Sequence, residues 1–227
     1  MTDDSVYNLA KQIGNALHHY GINLNLAPVL DPPKDSKGKP SFIEVSNRSF
    51  GEFETAVPKI RSFVKGMKES KVLSTSKHFP GYDSWTNSDH QIAFSTSSKE
   101  IILRNVELFK EFADEIPVVM LSSVRFVRLS NTPAVFNPKI TAMAREISPY
   151  TVLLTDDLWG VSLRAWISGT DKVKGKNYPS KDFKKLIRTV LWARNDMFMI
   201  TYPAKAVELI AYFEKKKTKY PEYRLRI

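Results

Sequence analysis

The sequence predicts an α/β fold, specifically a partial (β/α)8 barrel of the TIM type that lacks its first strands. Short apolar strands alternate with amphipathic helices along the chain, which is the pattern of βα units around a parallel sheet. Two of these strands end abruptly in ionisable side chains, at Lys77-His78 and at Asp156-Asp157. In a barrel of parallel strands such endings meet at the carboxyl mouth, where catalytic residues collect. The pattern therefore predicts a site together with a fold.

The amino-terminal part of the chain predicts two helix–strand units. The first strand spans residues 22–30 and ends at Asp31, and the second spans residues 72–77. Pro58 should kink the second helix or lie in its first turn. The apolar stripes of the two helices are Val6, Leu9, Ile13, Leu17 and Tyr20, and Phe53, Val57, Ile60, Val64 and Met67.

Capping residues predict the later elements. Ser97 and Glu100 match a capping box that opens a helix before strand 117–122, and Asn137 caps a short helix before strand 151–155. Ser180 opens a helix toward strand 197–201, and Pro203 starts the last helix. This makes five strands where a closed barrel has eight. No linker is evident, so residues 1–213 are expected to form the barrel domain and residues 214–227 a basic tail.

Composition excludes several chemistries. The absence of cysteine excludes disulfides, thiolate nucleophiles and zinc–sulfur sites. The four histidines form no His-Glu-x-x-His motif, and no Gly-rich phosphate loop is present, so neither a metal nor a cofactor is expected. No apolar run is long enough to cross a membrane, and the chain starts with acidic residues, which makes the cytoplasm the default location. Export stays open if the true amino terminus lies upstream.

The net charge of +10 is concentrated near the carboxyl end. We interpret the basic residues from 171 onward as solvated helix faces and a frayed tail. An anion-binding surface is the alternative. Nucleic acid is disfavoured as a partner because no zinc-finger, basic-zipper or aromatic stacking signature accompanies the charge.

Five ordered segments, within about Leu9 to Thr201, resemble glycoside hydrolase family three, in particular its bacterial β-N-acetylglucosaminidase branch. Residues 21–31 resemble the third-strand signature of the family, and Arg48-Ser49-Phe50-Gly51 resembles its Arg-Ser-Phe-Gly motif. Lys77-His78-Phe79-Pro80-Gly81 is the most distinctive match. Thr132-Pro133-Ala134 and Thr155-Asp156-Asp157-Leu158 complete the series.

The resemblance implies retaining hydrolysis of terminal β-linked sugars, such as chitin or peptidoglycan fragments in cell-wall recycling. Asp156 matches the nucleophile, and a strand-end carboxylate is well placed to attack an anomeric carbon. The alternative is that an aspartate here merely caps the next helix, a role for which Asp157 competes. The remaining matches are to positions that hold the sugar hydroxyls, namely Asp31, Arg48, Lys77 and His78.

His90 matches the histidine that protonates the leaving group in this branch. An imidazole suits acid–base work because its ordinary pKa lies near neutrality. The family places an aspartate two residues before this histidine, whereas this chain has Ser88 there and Asp89 one place later. Asp89 is therefore the expected partner of His90, and Asp83 is the alternative if the loop folds back.

Other departures keep a second hypothesis open. Ser123 stands where the family usually carries a histidine, and nothing before residue 9 corresponds to the first two barrel strands. An open barrel exposes strand edges and its inner face. A partner chain could complete the barrel, or the chain could be a remnant that binds saccharide without cleaving it.

Overall fold

The computed structural model describes residues 1–171 and 178–219. The predicted barrel alternation is present: helices surround a parallel sheet. The strands are β1 (Leu24–Asn25), β2 (Leu73–Phe79), β3 (Phe94–Ser95), β4 (Val118–Leu121), β5 (Arg125–Phe126) and β6 (Val152–Thr155). The helices are α1 (Asp3–His19), α2 (Phe42–Val45), α3 (Phe53–Glu69), α4 (Lys99–Glu111), α5 (Pro138–Arg145), α6 (Val161–Ser168), α7 (Ser180–Trp192) and α8 (Pro203–Lys219).

The main sheet is parallel throughout, with strand order β1-β2-β4-β6. The predicted fifth strand, residues 197–201, is reduced to an edge segment that joins β6 through one parallel bridge, between Leu154 and Met197. On the other edge, the backbone beyond β1 follows β2 as far as Leu30, whose N–H donates to the Lys77 carbonyl at 2.7 Å. The carboxyl ends of four neighbouring strands therefore meet at one edge, as in a TIM-type barrel. Among the described strands this sheet stays open, so the structure is a partial barrel.

The two faces of the sheet are covered to different extents. The face toward the helices contributes to the large core, in which Phe79 packs edge-on against Phe109. The inner face buries a small cluster of Val118, Met120 and Leu154. Leu24, Leu26, Val152 and Met199 pack around that cluster and are only partly buried. The fold is thus held mainly by its helix-facing layer.

The α1–α3 contact corrects one prediction. Val6 is buried, but Leu9 and Ile13 are 43% and 39% exposed and Tyr20 lies beyond the helix, so the predicted apolar stripe is largely wrong. The buried face instead continues through Ala10 and Gly14, because α1 approaches α3 at small residues. Helices α1 and α3 thus pack through the close approach of their backbones and not through large apolar side chains.

Several elements were missed or extend further than predicted. The short helix α2, the helix α6 and the small parallel β3–β5 pair were not predicted. Helix α3 continues through Pro58. Helix α8 passes through the predicted domain boundary at residue 213 without a break, and residues 220–227 of the predicted tail lie outside the described residues. Within the described ranges, no helix combines the length and apolar character that a membrane crossing requires.

Gly66→Ala should destabilise the protein although alanine favours a helix over glycine by roughly 1 kcal/mol. A Cβ at Gly66 would lie 2.8 Å from the Ala10 Cβ and the Tyr7 carbonyl oxygen and 2.9 Å from the Lys11 nitrogen. Because two of these atoms are backbone, α1 and α3 must separate. We expect the free energy of unfolding in urea to fall by about 1–3 kcal/mol. Lys68→Ala, on the exposed side of α3, is the matched control, and an equal or higher stability of Gly66→Ala would contradict the close contact.

Candidate active site

Strand alternation places Asp156 on the inner face of the sheet. In β6 Val152 and Leu154 belong to the inner cluster, and Leu153 belongs to the helix-facing core. The Asp156 N–H donates to the Leu121 carbonyl at 3.1 Å, so the ladder continues through this residue. Because successive strand residues alternate between faces, Asp156 shares the face of Leu154. Its carboxylate accepts the Asp157 N–H through Oδ1 at 2.8 Å.

Asp157 has a structural role. Its Oδ1 accepts the N–H groups of Trp159 and Thr201, both at 3.0 Å. Its Oδ2 accepts the Thr201 hydroxyl at 2.5 Å. These bonds tie the end of β6 to the neighbouring edge segment. Of the two adjacent carboxylates, Asp157 is thus engaged in holding backbone and Asp156 faces the inner side.

The Asp31 carboxylate joins the ends of two strands. Oδ1 accepts the backbone N–H of His78 at 2.8 Å and that of Tyr82 at 2.6 Å. Oδ2 lies 2.6 Å from His78 Nδ1. The Asp31 side chain has no exposed surface, so in this structure it contacts His78 and the loop after β2. With Nδ1–H donating to the carboxylate, His78 keeps Nε2 for another partner.

A register shift in β2 brings Lys77 and His78 to the same edge. Lys77 pairs with Met120 and Phe79 with Leu121, so His78 is an additional residue between them. Met120 belongs to the inner cluster, and Lys77 shares its register position. Sequence alternation alone would have put these two neighbours on opposite faces. The shift explains how a consecutive Lys-His pair can serve one site.

Charged groups around Lys77 define the electrostatics of the site. Burial lowers the pKa of the Lys77 amine, and the Arg48 guanidinium lowers it further, whereas Asp156 and Asp31 oppose both effects. Arg48 itself is exposed and follows a turn at Asn47. Three of the residues predicted from the family motifs, Arg48, Asp156 and Asp31, thus act electrostatically on a fourth, Lys77.

Tyr82 organises the loop that follows β2, and sequence reasoning missed it. Its N–H donates to Asp31, its hydroxyl donates to the Thr86 carbonyl, and the same oxygen accepts the Ser88 N–H at 3.0 Å. Burial raises the pKa of Tyr82 to about 12, so the phenol stays protonated as a donor. Its position directly after the Lys-His-Phe-Pro-Gly motif was the available signal.

His90 and Asp89 lie on an exposed turn beyond this loop. The His90 N–H donates to the Asn87 carbonyl at 3.2 Å, and the Asp89 N–H donates to the Asn87 side chain at 2.8 Å. The turn is fixed to the start of α6, because the Ser162 N–H donates to the Ser88 carbonyl at 3.0 Å. His90 thus lies on a segment anchored six residues after Asp156, with its ring in solvent.

Asp83, the alternative partner of His90, is engaged elsewhere. It is 2% exposed and accepts the Ser97 hydroxyl. Burial raises the pKa of its carboxyl group, while the hydroxyls of Ser95 and Ser97 oppose that effect. Asp83 thus connects the loop after β2 to the residues that precede α4.

The described part of the chain contains no cluster of side chains that could form a metal centre. No group of three or more His, Asp or Glu side chains there could hold a metal ion. The unpaired Ser123 hydroxyl, in the position where the family usually has a histidine, adds no ligand of that kind.

Residues 1–158 match the model of the glycosyl hydrolase family 3 N terminal domain. The chain belongs to this family. The match ends just after Asp156 and Asp157, so it includes all the residues described above as candidate nucleophile, sugar contacts and acid/base. It confirms the family assignment made from the five motifs.

Relatives in family 3 extend the comparison. A β-hexosaminidase of Glaesserella parasuis is 31% identical over 118 residues, which are 50% of this chain and 33% of that protein. The zinc-bound structure of CbsA from Thermotoga neapolitana has a TM-score of 0.78 at 20% identity, covering 96% of this chain and 45% of CbsA. The β-N-acetylhexosaminidase of Beutenbergia cavernae has a TM-score of 0.75 at 22% identity, covering 99% of this chain and 65% of that enzyme. The sequence match spans about a third of the first relative, and the two structures establish the fold.

Asp31→Asn should destabilise the fold. An amide has one acceptor oxygen where the carboxylate has two, so at least one of the bonds to His78 and Tyr82 is lost or inverted. Losing a buried hydrogen bond to a charged group costs about 1.5–3 kcal/mol. We expect chemical denaturation to show a lower midpoint for Asp31→Asn, with Asp89→Asn, on the exposed turn, as the control. Equal stability of the two variants would show that the bonds from the Asp31 carboxylate to His78 and Tyr82 do not stabilise the fold.

Lys77→Met should stabilise the protein at neutral pH. The lowered pKa of Lys77 means that its charged form is less favourable in the folded than in the unfolded chain. This cost is full below the folded pKa and vanishes as the pH rises toward the ordinary lysine value of 10.5. The gain in melting temperature should therefore shrink as the pH is raised. Lys68→Met, at an exposed position, should show no such pH dependence, and a lower melting temperature for Lys77→Met at neutral pH would contradict the electrostatic cost.

Proposed function

We propose that this chain is the catalytic part of a retaining glycoside hydrolase that removes terminal β-linked N-acetylglucosamine. The observation that supports this most strongly is that the two adjacent aspartates at the end of β6 have different surroundings. Asp157 is bound to Trp159 and Thr201, while Asp156 shares the inner face with Leu154 and acts electrostatically on Lys77. At one strand end, a carboxylate bonded to the neighbouring segment and a carboxylate that faces the inner side fit one structural and one chemical role.

Asp156 is proposed as the nucleophile. Its carboxylate attacks the anomeric carbon, the bond to the leaving oxygen breaks, and a glycosyl–aspartate ester forms. Water then attacks the same carbon, which releases the sugar and regenerates the carboxylate. Lys77 interacts electrostatically with Asp156, so a cation lies near the carboxylate that carries the first step.

The sugar contacts divide into direct and indirect ones. Lys77, Arg48 and His78 Nε2 offer donors for hydroxyl groups at the carboxyl edge. Asp31 acts through His78 as a positioning residue, because its own oxygens are used by backbone N–H groups and the His78 ring. The carboxylate fixes the tautomer that presents Nε2.

His90 is proposed as the acid/base group, with Asp89 as its carboxylate partner. The exposed imidazole must turn inward to donate a proton to the leaving oxygen and later accept one from water. The bond between Ser162 and Ser88 keeps its turn next to the segment that follows Asp156. A rearrangement confined to residues 89–91 would leave that anchor intact.

The substrate class follows from the relatives. The proteins that match over half of this chain are named β-hexosaminidases, which favours terminal N-acetylhexosamine on chitin or peptidoglycan fragments. Cell-wall recycling in the cytoplasm, the default location expected from the sequence, is the setting proposed for this activity. Fractionation of the source cells tests that location.

A partner chain that completes the barrel is a further proposal. It is supported by the half-covered inner face and by the free edge at β1, where Leu73 of the neighbouring strand is 53% exposed. Light scattering on the purified chain tests self-association. A strictly monomeric and active protein would remove the need for a partner.

Asp156→Ala should abolish turnover of a chromogenic β-N-acetylglucosaminide, because the adjacent carboxylate, Asp157, is held by its bonds to Trp159 and Thr201. His90→Ala should lower kcat about 100- to 10,000-fold, the range for loss of a general acid/base. Asp89→Asn should lower it less, since the imidazole remains. Circular dichroism confirms that each variant is folded, and activity surviving Asp156→Ala would overturn the assignment.

The rival function is saccharide binding without turnover. The exposed His90 ring and the serine at position 88 favour it. It predicts that an N-acetylglucosamine oligosaccharide raises the melting temperature while no product is released. Under that function His90→Ala has no effect on any measured property, whereas Lys77→Met removes the protection by ligand.

A further inference from the structure

A cleft of about 600 Å³ lies on the outer side of the loop that follows β2. Its walls come from residues 35–40 after β1, residues 83–85 after β2 and the residues around β3. All these segments follow carboxyl ends of strands, so the cleft opens on the same side of the sheet as Asp156. Tyr82 contacts both His78 and Phe42, with ring centroids 5.9 Å and 6.2 Å apart, and the residues that line the cleft include neither His78 nor Asp156. It is therefore a neighbour of the candidate active site and distinct from it.

The cleft gathers exposed apolar side chains that a folded domain ordinarily covers. Trp85 is 64% exposed, Val45 66% and Phe94 41%, and all three line this one cleft. Isolated exposed apolar residues are common, but a contiguous group marks a binding surface. Because two of the three are aromatic, the surface offers flat platforms.

Polar groups surround the aromatic platforms. Lys37 and Lys39 are exposed on one wall, and Ser36 and Thr96 add hydroxyls. At the base, Asp83 is 2% exposed and its Oδ1 has no hydrogen-bond partner within the described part of the chain. This oxygen is itself buried and the Ser95 and Ser97 hydroxyls act on the same carboxyl group, so Asp83 shapes the base of the cleft while the exposed lysines and hydroxyls are the groups open to a ligand. Flat apolar surfaces with few convergent polar groups suit a pyranose ring, which has one C–H face and a hydroxyl rim.

The aromatic platform is fixed in place. The Ser84 carbonyl, before Trp85, accepts the Phe42 N–H at 2.9 Å. The Thr86 N–H, after it, donates to the Ser84 hydroxyl at 3.1 Å, and the Thr86 carbonyl accepts the Tyr82 hydroxyl. A side chain held by anchored neighbours on both sides binds a ligand with little loss of conformational entropy.

The other tryptophans on this side of the molecule have no comparable role. Trp159 stacks on Tyr202 at 4.6 Å, and the Arg164 guanidinium lies 4.2 Å from its ring centre. Trp166 packs against Phe136 at 5.4 Å and donates its indole N–H to the Asn131 carbonyl. From the sequence, Trp85, Trp159 and Trp166 were equally able to stack on a sugar ring. In the structure Trp85 has the open face.

We propose that the cleft around Trp85 and Phe94 is a second saccharide site, which binds internal pyranose units of the glycan whose terminal unit reaches Asp156. The ligand class rests on the proposed function. The site would keep a polymeric substrate near the carboxyl mouth between cleavage events. It takes no part in bond breaking.

Trp85→Ala tests the proposal by direct binding. Calorimetry with chitin hexasaccharide, on chains that also carry Asp156→Asn to prevent cleavage, should show affinity about tenfold weaker than without the Trp85 substitution, as expected for loss of one stacking platform. Hydrolysis of a chromogenic monosaccharide by Trp85→Ala in the otherwise unchanged chain should be unaffected. Trp85→Phe should retain most of the affinity, because the flat ring remains.

Trp192→Ala is the matched control, since Trp192 is 68% exposed and lies at the end of α7, beside Arg145 and Arg194. Unchanged hexasaccharide affinity in Trp85→Ala, or an equal loss in Trp192→Ala, would overturn the second site. If the chain binds hexasaccharide through Trp85 but hydrolyses nothing, the proposed function fails and the site stands. If it hydrolyses the monosaccharide and Trp85→Ala binds normally, only the site fails.

Discussion

The buried Asp31 carboxylate is the constraint on which the arrangement of the site depends. It lies at the end of the first strand of the sheet and binds the backbone and ring of His78 together with the backbone of Tyr82. Two strand ends and the following loop are thereby fixed by one side chain. Because Tyr82 in turn holds Thr86 and Ser88, the same carboxylate indirectly positions the Trp85 platform and the start of the His90 turn. The carboxylate has two acceptor oxygens for these three donors, whereas a neutral amide side chain has only one.

The positive charge of Lys77 does not stabilise the fold. Burial works against the charge on Lys77, and Arg48 adds repulsion, which is the pattern typical of a functional site and agrees with the sugar-binding role proposed for this pair. Asp156 and Asp31 offset part of the cost by attraction. A mouth with two cations and two anions within electrostatic range recognises hydroxyl groups well, because each hydroxyl can both donate and accept a hydrogen bond.

Predictions from the sequence were accurate where a helix or strand end is determined by residues next to it in the chain. Asn137 caps α5, Pro203 opens α8 and β6 ends at Thr155 as predicted, because capping and strand alternation depend on near neighbours. The predicted end of the second strand at Lys77 was wrong, since β2 continues to Phe79. The prediction was also wrong for Leu9 and Ile13, since the close α1–α3 contact depends on Gly66, which is distant in sequence. The register shift at His78 and the anchoring role of Tyr82 also depend on distant partners, Leu121 and Asp31. Local patterns located the strand-end residues, whereas the bonds that orient them are long-range.

The unequal covering of the two sheet faces explains how one domain can carry so many chemically demanding groups. The helix-facing layer holds most of the buried apolar side chains, from Phe79 to Leu153, so stability resides there. The inner face buries few residues, and at its carboxyl edge the chain can place Asp156 and Lys77 without disturbing the main core. Loops beyond that edge are free to vary for the same reason. His90 and Trp85 lie five residues apart on one such loop, between β2 and β3. The loop is held by Tyr82 and links the proposed chemistry to the proposed glycan binding.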